Sequence, residues 1–239
     1  MLSEKVTGKN ITNMNQFNEI LKFEDGPVQY ENSGNGHIKM KQHPYPYSIK
    51  EEEFNFLRDL VIEHNLQRGY ECATAFGVSS CAIGLGFKQT GGKLVTMDAY
   101  IEEKCQNPGT YKEFERTVYE TSDGYKSVKY LIDKFELQNT MFAEIGWSPD
   151  DTESSIRKHF SEKLDFVFID AGHFEEQMIK DIDAFLPLLA DKYVLAFHDV
   201  YSWSFTDKVH AHLFEKIGKK VEIMIPAGRG ENLGVIINV

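Results

Sequence analysis

From Arg68 onward, short apolar runs alternate with helix-length amphipathic stretches, and this rhythm restricts the chain to a mostly parallel sheet covered on both faces. The clearest run is Leu164 to Ile169 (Leu-Asp-Phe-Val-Phe-Ile), which ends at Asp170. The others are Tyr70 to Ala73, Lys93 to Met97, Thr140 to Ile145, Tyr193 to Phe197, Val221 to Ile225 and Leu233 to Asn238. Between them, the 3.6-residue period predicts helices over 49–65, 78–88, 152–160, 174–189 and 205–217, with a polar helical stretch over 111–135 broken near Asp123-Gly124. Ser48 followed by Glu51 is a capping box for the first of them. The last two runs follow one another through a loop with no helix, which calls for an antiparallel strand near the C-terminus.

The first 47 residues break this rhythm. Asn, Gly, Lys and Gln crowd together, and Gly34 to Tyr47 is rich in turn formers. The chain therefore divides into an N-terminal extension, 1–47, and one domain, 48–239. The extension reads either as a disordered or merely packed tail or as a lid or oligomer arm. At this domain size roughly 70% of the unfolded surface can be buried.

Composition excludes several classes. There are 26 Lys and Arg against 37 Asp and Glu, a formal net charge of -11. That balance repels phosphate backbones and argues against a nucleic-acid partner. Cys72, Cys81 and Cys105 are odd in number and lack CxxC spacing, so they are expected as reduced thiols rather than a disulfide framework or zinc knuckle. Neither a signal-peptide core nor an apolar run long enough to span a bilayer occurs. A cytoplasmic protein without membrane partners is the expectation.

In open α/β sheets, ligands bind beyond the carboxyl ends of the strands. The residues at those positions are Glu71 to Gly77, Asp98, Gly146-Trp147-Ser148, Asp170 to His173 and His198-Asp199. Repeated carboxylates there are unusual for simple turns. Glu71 to Ser79 is a strand–turn–helix junction of small residues that lets a ligand approach the backbone. It fails as a G-x-G-x-x-G dinucleotide motif, since Ala73 and Ala75 stand where glycines would. Asp98 follows that turn by a strand's return, the placement in which a carboxylate accepts ribose hydroxyls. Turn and acid together point to an adenosine-containing ligand.

Four segments carry a family resemblance: Y-E-C-A-T-A-F-G-V-S (Tyr70 to Ser79), V-T-M-D (Val95 to Asp98), D-F-V-F-I-D-A-G-H (Asp165 to His173) and A-F-H-D-V (Ala196 to Val200). In order and spacing they resemble the class I S-adenosylmethionine-dependent methyltransferases, a Rossmann-like fold. The branch of macrolide-sugar and cephalosporin-pathway O-methyltransferases is the most similar. The resemblance runs from about Ser48 to the C-terminus.

It implies that Glu71, Ala73, Gly77 and Ser79 line the methionine and ribose end of S-adenosylmethionine, with Asp98 on the ribose and Trp147-Ser148 by the adenine. Asp170 would lie near the methyl donor and, in metal-dependent members, ligate Mg²⁺ together with Asp199 and the residue before it. That residue is often acidic in the branch and is His198 here. Mg²⁺ prefers oxygen, so His198 leaves open a transition metal, a histidine that only supports the ligands, or no metal. The implied reaction is methyl transfer to a hydroxyl of a small polar acceptor. His173 is the candidate general base, or else a cap on the following helix. An NAD-dependent oxidoreductase and a catalytically idle cofactor-binding protein are the competing readings, and homo-oligomerisation is open.

Overall fold

The computed structural model describes residues 31–32, 38–39, 49, 51–99, 123–172, 174–200, 205–225 and 233–239. Ser48, and with it the capping box, lies outside them. Ahead of residue 49, Glu31–Asn32 and Ile38–Lys39 form a short antiparallel pair.

Among the described residues from 49 onward, seven strands form one sheet. Its strands are β1 (Arg68–Cys72), β2 (Lys93–Asp98), β3 (Met141–Ile145), β4 (Leu164–Ile169), β5 (Leu189–Phe197), β6 (Glu222–Ile225) and β7 (Leu233–Asn238), in the order β3-β2-β1-β4-β5-β7-β6. The pairs among β1 to β5 are parallel. β7 runs antiparallel between β5 and β6, so the expected antiparallel strand is present and lies one place in from the edge.

The helices among the described residues are α1 (Glu51–Glu63), α2 (Val78–Thr90), α3 (Asp123–Lys134), α4 (Thr152–His159), α5 (Glu175–Phe185) and α6 (Asp207–Ile217). They cover two apolar layers. On one side α1, α2 and α3 bury Phe54, Leu57, Phe87 and Leu131 against Phe166 and Phe168. On the other, α4, α5 and α6 bury Ile156, Met178, Phe185 and Leu213 against Val167 and Ile169. β4 is buried at every position, which explains its unbroken apolar run: alternate side chains feed opposite layers.

One boundary departs from expectation. The periodicity predicts a helix to Leu189, but α5 stops at Phe185 and a 3-10 turn, Leu186–Leu188, follows. Pro187 lacks the N–H that the next helical bond needs, and its ring excludes the preceding turn. The chain emerges extended, and Leu189 pairs with Leu164 four residues before the expected strand start. No helix among the described residues is long and apolar enough to cross a membrane.

Candidate active site

Strand register sets the site. Cys72 pairs with both Met97 and Ile169, Ile169 pairs with Phe197, and Asp98 pairs with Ile145. The five parallel strands therefore end in one row, and Ala73, Asp98, Gly146, Asp170 and His198 leave the sheet side by side. The row is knit by backbone bonds from Ala73 N to Met97 O (2.9 Å), Asp170 N to Cys72 O (3.2 Å) and His198 N to Ile169 O (3.2 Å).

The β1–α2 turn holds an unusual conformation. Ala73, Ala75 and Gly77 have φ of 72°, 46° and 85°, the left-handed region. For alanine this costs about 1–2 kcal/mol, so surrounding contacts must enforce it. Asp98 supplies one, accepting a hydrogen bond from Ala75 N at 2.8 Å. Gly77 is required twice over, because a side chain there would also meet Val128 Cγ2 of α3 at 2.9 Å.

Glu71 and Ser79 lie beneath this turn. Glu71 is fully buried. Ser79 Oγ donates to its Oε1 at 2.5 Å, and Thr96 Oγ1 and Ser80 Oγ donate to Oε2. Burial pushes the carboxyl up to about 7, against the opposing pull of the Ser79, Ser80 and Thr96 hydrogen bonds. Glu71 thus clamps β1 to β2 and to the first turn of α2, and these side chains underpin the β1–α2 turn. Ala73 and Asp98 are part-exposed at its surface.

Trp147 and Ser148 form the β3–α4 turn, which a cis Ser148–Pro149 bond closes. Trp147 N donates to Asp151 Oδ2 at 2.9 Å, Ser148 Oγ donates to Asp181 Oδ1 at 2.5 Å, and Gln177 Nε2 donates to Ser148 O at 2.9 Å. Beside the turn opens a cleft of about 440 Å³, lined by Ile145, Gly146, Trp147, Asp151, Ser155 and Lys158 among others.

At the β4 and β5 ends, Asp170, His198 and Asp199 converge. His198 Nδ1 lies 3.5 Å from Asp170 Oδ1 and 3.4 Å from Asp199 Oδ1. Asp199 takes φ 55°, a left-handed conformation that aspartate tolerates better than most residues. From α1, Glu53 Oε1 stands 3.4 Å from His198 Nε2. Both Glu53 and His198 are buried, at 1% and 9% exposure. Burial disfavours the charged imidazole, but the Asp170 charge and the nearby Asp170, Asp199 and Glu53 oxygens outweigh it and raise its pKa well above the ordinary value.

One donor atom from each of Asp170, His198 and Asp199 falls within 4.8 Å of the others. Metal–ligand bonds of about 2.0–2.2 Å place two donors no more than about 4.4 Å apart, so small side-chain adjustments accommodate one cation. The donor set fits a divalent metal. His173 lies outside the described residues, as do Tyr201 to Ser204. Cys72 and Cys81 are buried free thiols, and Cys105 is also outside.

The sequence reading missed two acids, Glu53 and Asp181, for the same reason. Each interrupts the apolar face of its helix: Glu53 precedes Leu57 and Leu60 by four and seven positions, and Asp181 sits between Met178 and Ile182. A charge on a buried stripe was the available signal.

Comparison with known proteins agrees with this geometry. Residues 70–200 match a family described as a methyltransferase domain, and they make up more than half of the chain. Among solved structures, an O-methyltransferase from Bacillus cereus in complex with SAH has a TM-score of 0.60 at 16% identity, covering 99% of this chain and 94% of that one. The O-methyltransferase TomG from Streptomyces achromogenes, involved in tomaymycin synthesis and solved with SAM, has a TM-score of 0.60 at 14% identity, covering 98% and 93%. A methyltransferase from Geobacter sulfurreducens has a TM-score of 0.57 at 12% identity, covering 97% and 91%. The family match, on a fold that these structures share, shows that the chain belongs to the class I methyltransferases.

Proposed function

We propose that the protein transfers a methyl group from S-adenosylmethionine to a hydroxyl of a small polar acceptor, sugar-like or a natural product. The observation that carries this reading is the single row of strand ends, with the strained β1–α2 turn and Asp98 at one place and the Asp170–His198–Asp199 cluster at the next. The structural likeness to O-methyltransferases solved with SAM or SAH supports the cofactor and the acceptor class. Family membership speaks against the dehydrogenase alternative.

In this reading the part-exposed Asp98 accepts the ribose hydroxyls while keeping its bond to Ala75, and the β1–α2 turn brings backbone close to the methionine end. Trp147 and Ser148 border the adenine. The reaction is an in-line displacement: the acceptor oxygen forms a bond to the methyl carbon as the carbon–sulfur bond breaks, leaving S-adenosylhomocysteine. Holding those atoms in line is worth several kcal/mol. The hydroxyl proton passes to a base, for which His173, three positions after Asp170, is proposed. Asp170, His198 and Asp199 would hold a divalent cation, whose contribution when bound is to lower the acceptor hydroxyl's pKa.

Thermal unfolding with and without S-adenosylmethionine and S-adenosylhomocysteine tests the reading. Ligand at 100 times its Kd adds about 2.7 kcal/mol, a shift of roughly 5–10 °C for a chain of this length. Asp98→Ala should abolish the shift. No shift with either ligand at about millimolar concentration overturns the proposal.

A further inference from the structure

Of the acids of α5, none of which the proposed chemistry uses, Asp181 is the one that is fully buried. Its Oδ1 accepts hydrogen bonds from Ser148 Oγ (2.5 Å) and Gln177 Nε2 (3.2 Å), while Oδ2 is buried with no hydrogen-bond partner. Burying a half-satisfied carboxylate is costly, and a fold needing only to fill this space would be better served by an apolar side chain. What the carboxylate holds is the turn after β3. Gln177, one helical turn before Asp181, bridges the two by donating to Ser148 O as well.

On this basis, and resting on the cofactor reading above, we infer that Asp181 is a positioning residue for S-adenosylmethionine: acting through Ser148, it holds the Trp147–Pro149 turn in the shape that receives the adenosine. Three polar groups of the turn are drawn inward, Trp147 N–H to Asp151, Ser148 O to Gln177 and Ser148 Oγ to Asp181. Ser148 therefore serves the cofactor by its place in the turn rather than with its hydroxyl. A turn fixed beforehand spares the ligand the ordering cost that a loose loop would impose on binding.

The same arrangement makes cofactor affinity depend on pH. Burial raises the Asp181 carboxyl to about 6, against the hydrogen bonds from Ser148 and Gln177 and the charge of Lys180. The other titratable groups facing it are Tyr70 and Cys72 of β1. Burial raises both well above their usual values, so they stay neutral across this window. Thr152 and Ser155 of α4 carry no charge. An ionised carboxylate accepts the Ser148 bond more strongly than a protonated one. Affinity for the cofactor should therefore weaken as pH falls through about 6.

Calorimetric titration of S-adenosylhomocysteine into wild type, Asp181→Ala, Asp181→Asn and Ser148→Ala, at pH 5.5 and pH 8, tests this. At pH 8, Asp181→Ala should weaken binding about tenfold, the size of one lost charge-assisted hydrogen bond. Asp181→Asn, which keeps an acceptor for Ser148, should recover most of it. Wild type should bind more weakly at pH 5.5, and that dependence should vanish in Asp181→Asn and Ser148→Ala. Should Asp181→Ala fail to fold, the other two variants decide. Unchanged affinity in Asp181→Ala or in Ser148→Ala, or the wild-type pH dependence retained in Asp181→Asn, overturns the inference while leaving the cofactor reading intact. Failure of wild type itself to bind overturns both.

Discussion

Glu53 Oε1 lies 3.4 Å from His198 Nε2, on the opposite side of the imidazole from Asp170 and Asp199. An α1 carboxylate thus orients the ring so that Nδ1, not Nε2, faces the two aspartates. Histidines that ligate metals are commonly held this way by an outer carboxylate, and removing that partner typically costs 10–100-fold in metal affinity. Glu53→Ala should lower Co²⁺ affinity by about that factor in calorimetric titration. Equal affinity in the variant would show that the ring needs no such support.

In the proposed metal site, the imidazole would also set metal preference. An all-oxygen set suits Mg²⁺, whereas an imidazole favours later transition metals. His198→Asp should therefore raise Mg²⁺ affinity relative to Co²⁺, read by competitive titration. A ratio unmoved by the substitution would mean that His198 is not a ligand.

Ala73 sits at φ 72°, where a methyl side chain is strained. Ala73→Gly should relieve about 1 kcal/mol, part of it offset by the greater freedom of glycine in the unfolded chain. The expected net change is a Tm increase of up to roughly 2–4 °C. A lower Tm would mean that the methyl group makes packing contacts worth more than the strain.

Glu71 predicts a pH effect on stability. Its folded value, about 7, lies above its ordinary 4.5, so the folded protein binds this proton more tightly than the unfolded chain does. The resulting stability is present below pH 4.5 and is lost as pH rises through about 7. Denaturant midpoints at pH 5 and pH 8 should show this loss in wild type and a smaller one in Glu71→Gln. Parallel behaviour of the two proteins would contradict it.

The residues show how far the sequence was legible. β4 and β7 match their expected bounds, Leu164–Ile169 and Leu233–Asn238, because near-continuous apolar runs leave little choice of edge. The start of β5 was hidden, since Asp191 and Lys192 are exposed polar positions in a strand that begins before its apolar part. The row Asp98, Asp170 and Asp199 was readable because acids closing apolar strands stand out along the chain. Glu53 and Asp181 were not, because their partners His198 and Ser148 are distant in sequence and only the packing of α1 and α5 brings them together. The depth of Glu71 was equally invisible: alternation places it on a face, but only Ser79, Ser80 and Thr96 show that the face is sealed.

The position of β7 between β5 and β6 carries a consequence for assembly. β6 leaves the ribosome before the strand it pairs with, so Glu222–Ile225 must wait while β7 is made and threads into place. Until then, β5 presents an unpaired flank on which other extended chains can dock. Release of a chain lacking Leu233 onward should thus yield aggregates rather than a slightly shortened enzyme.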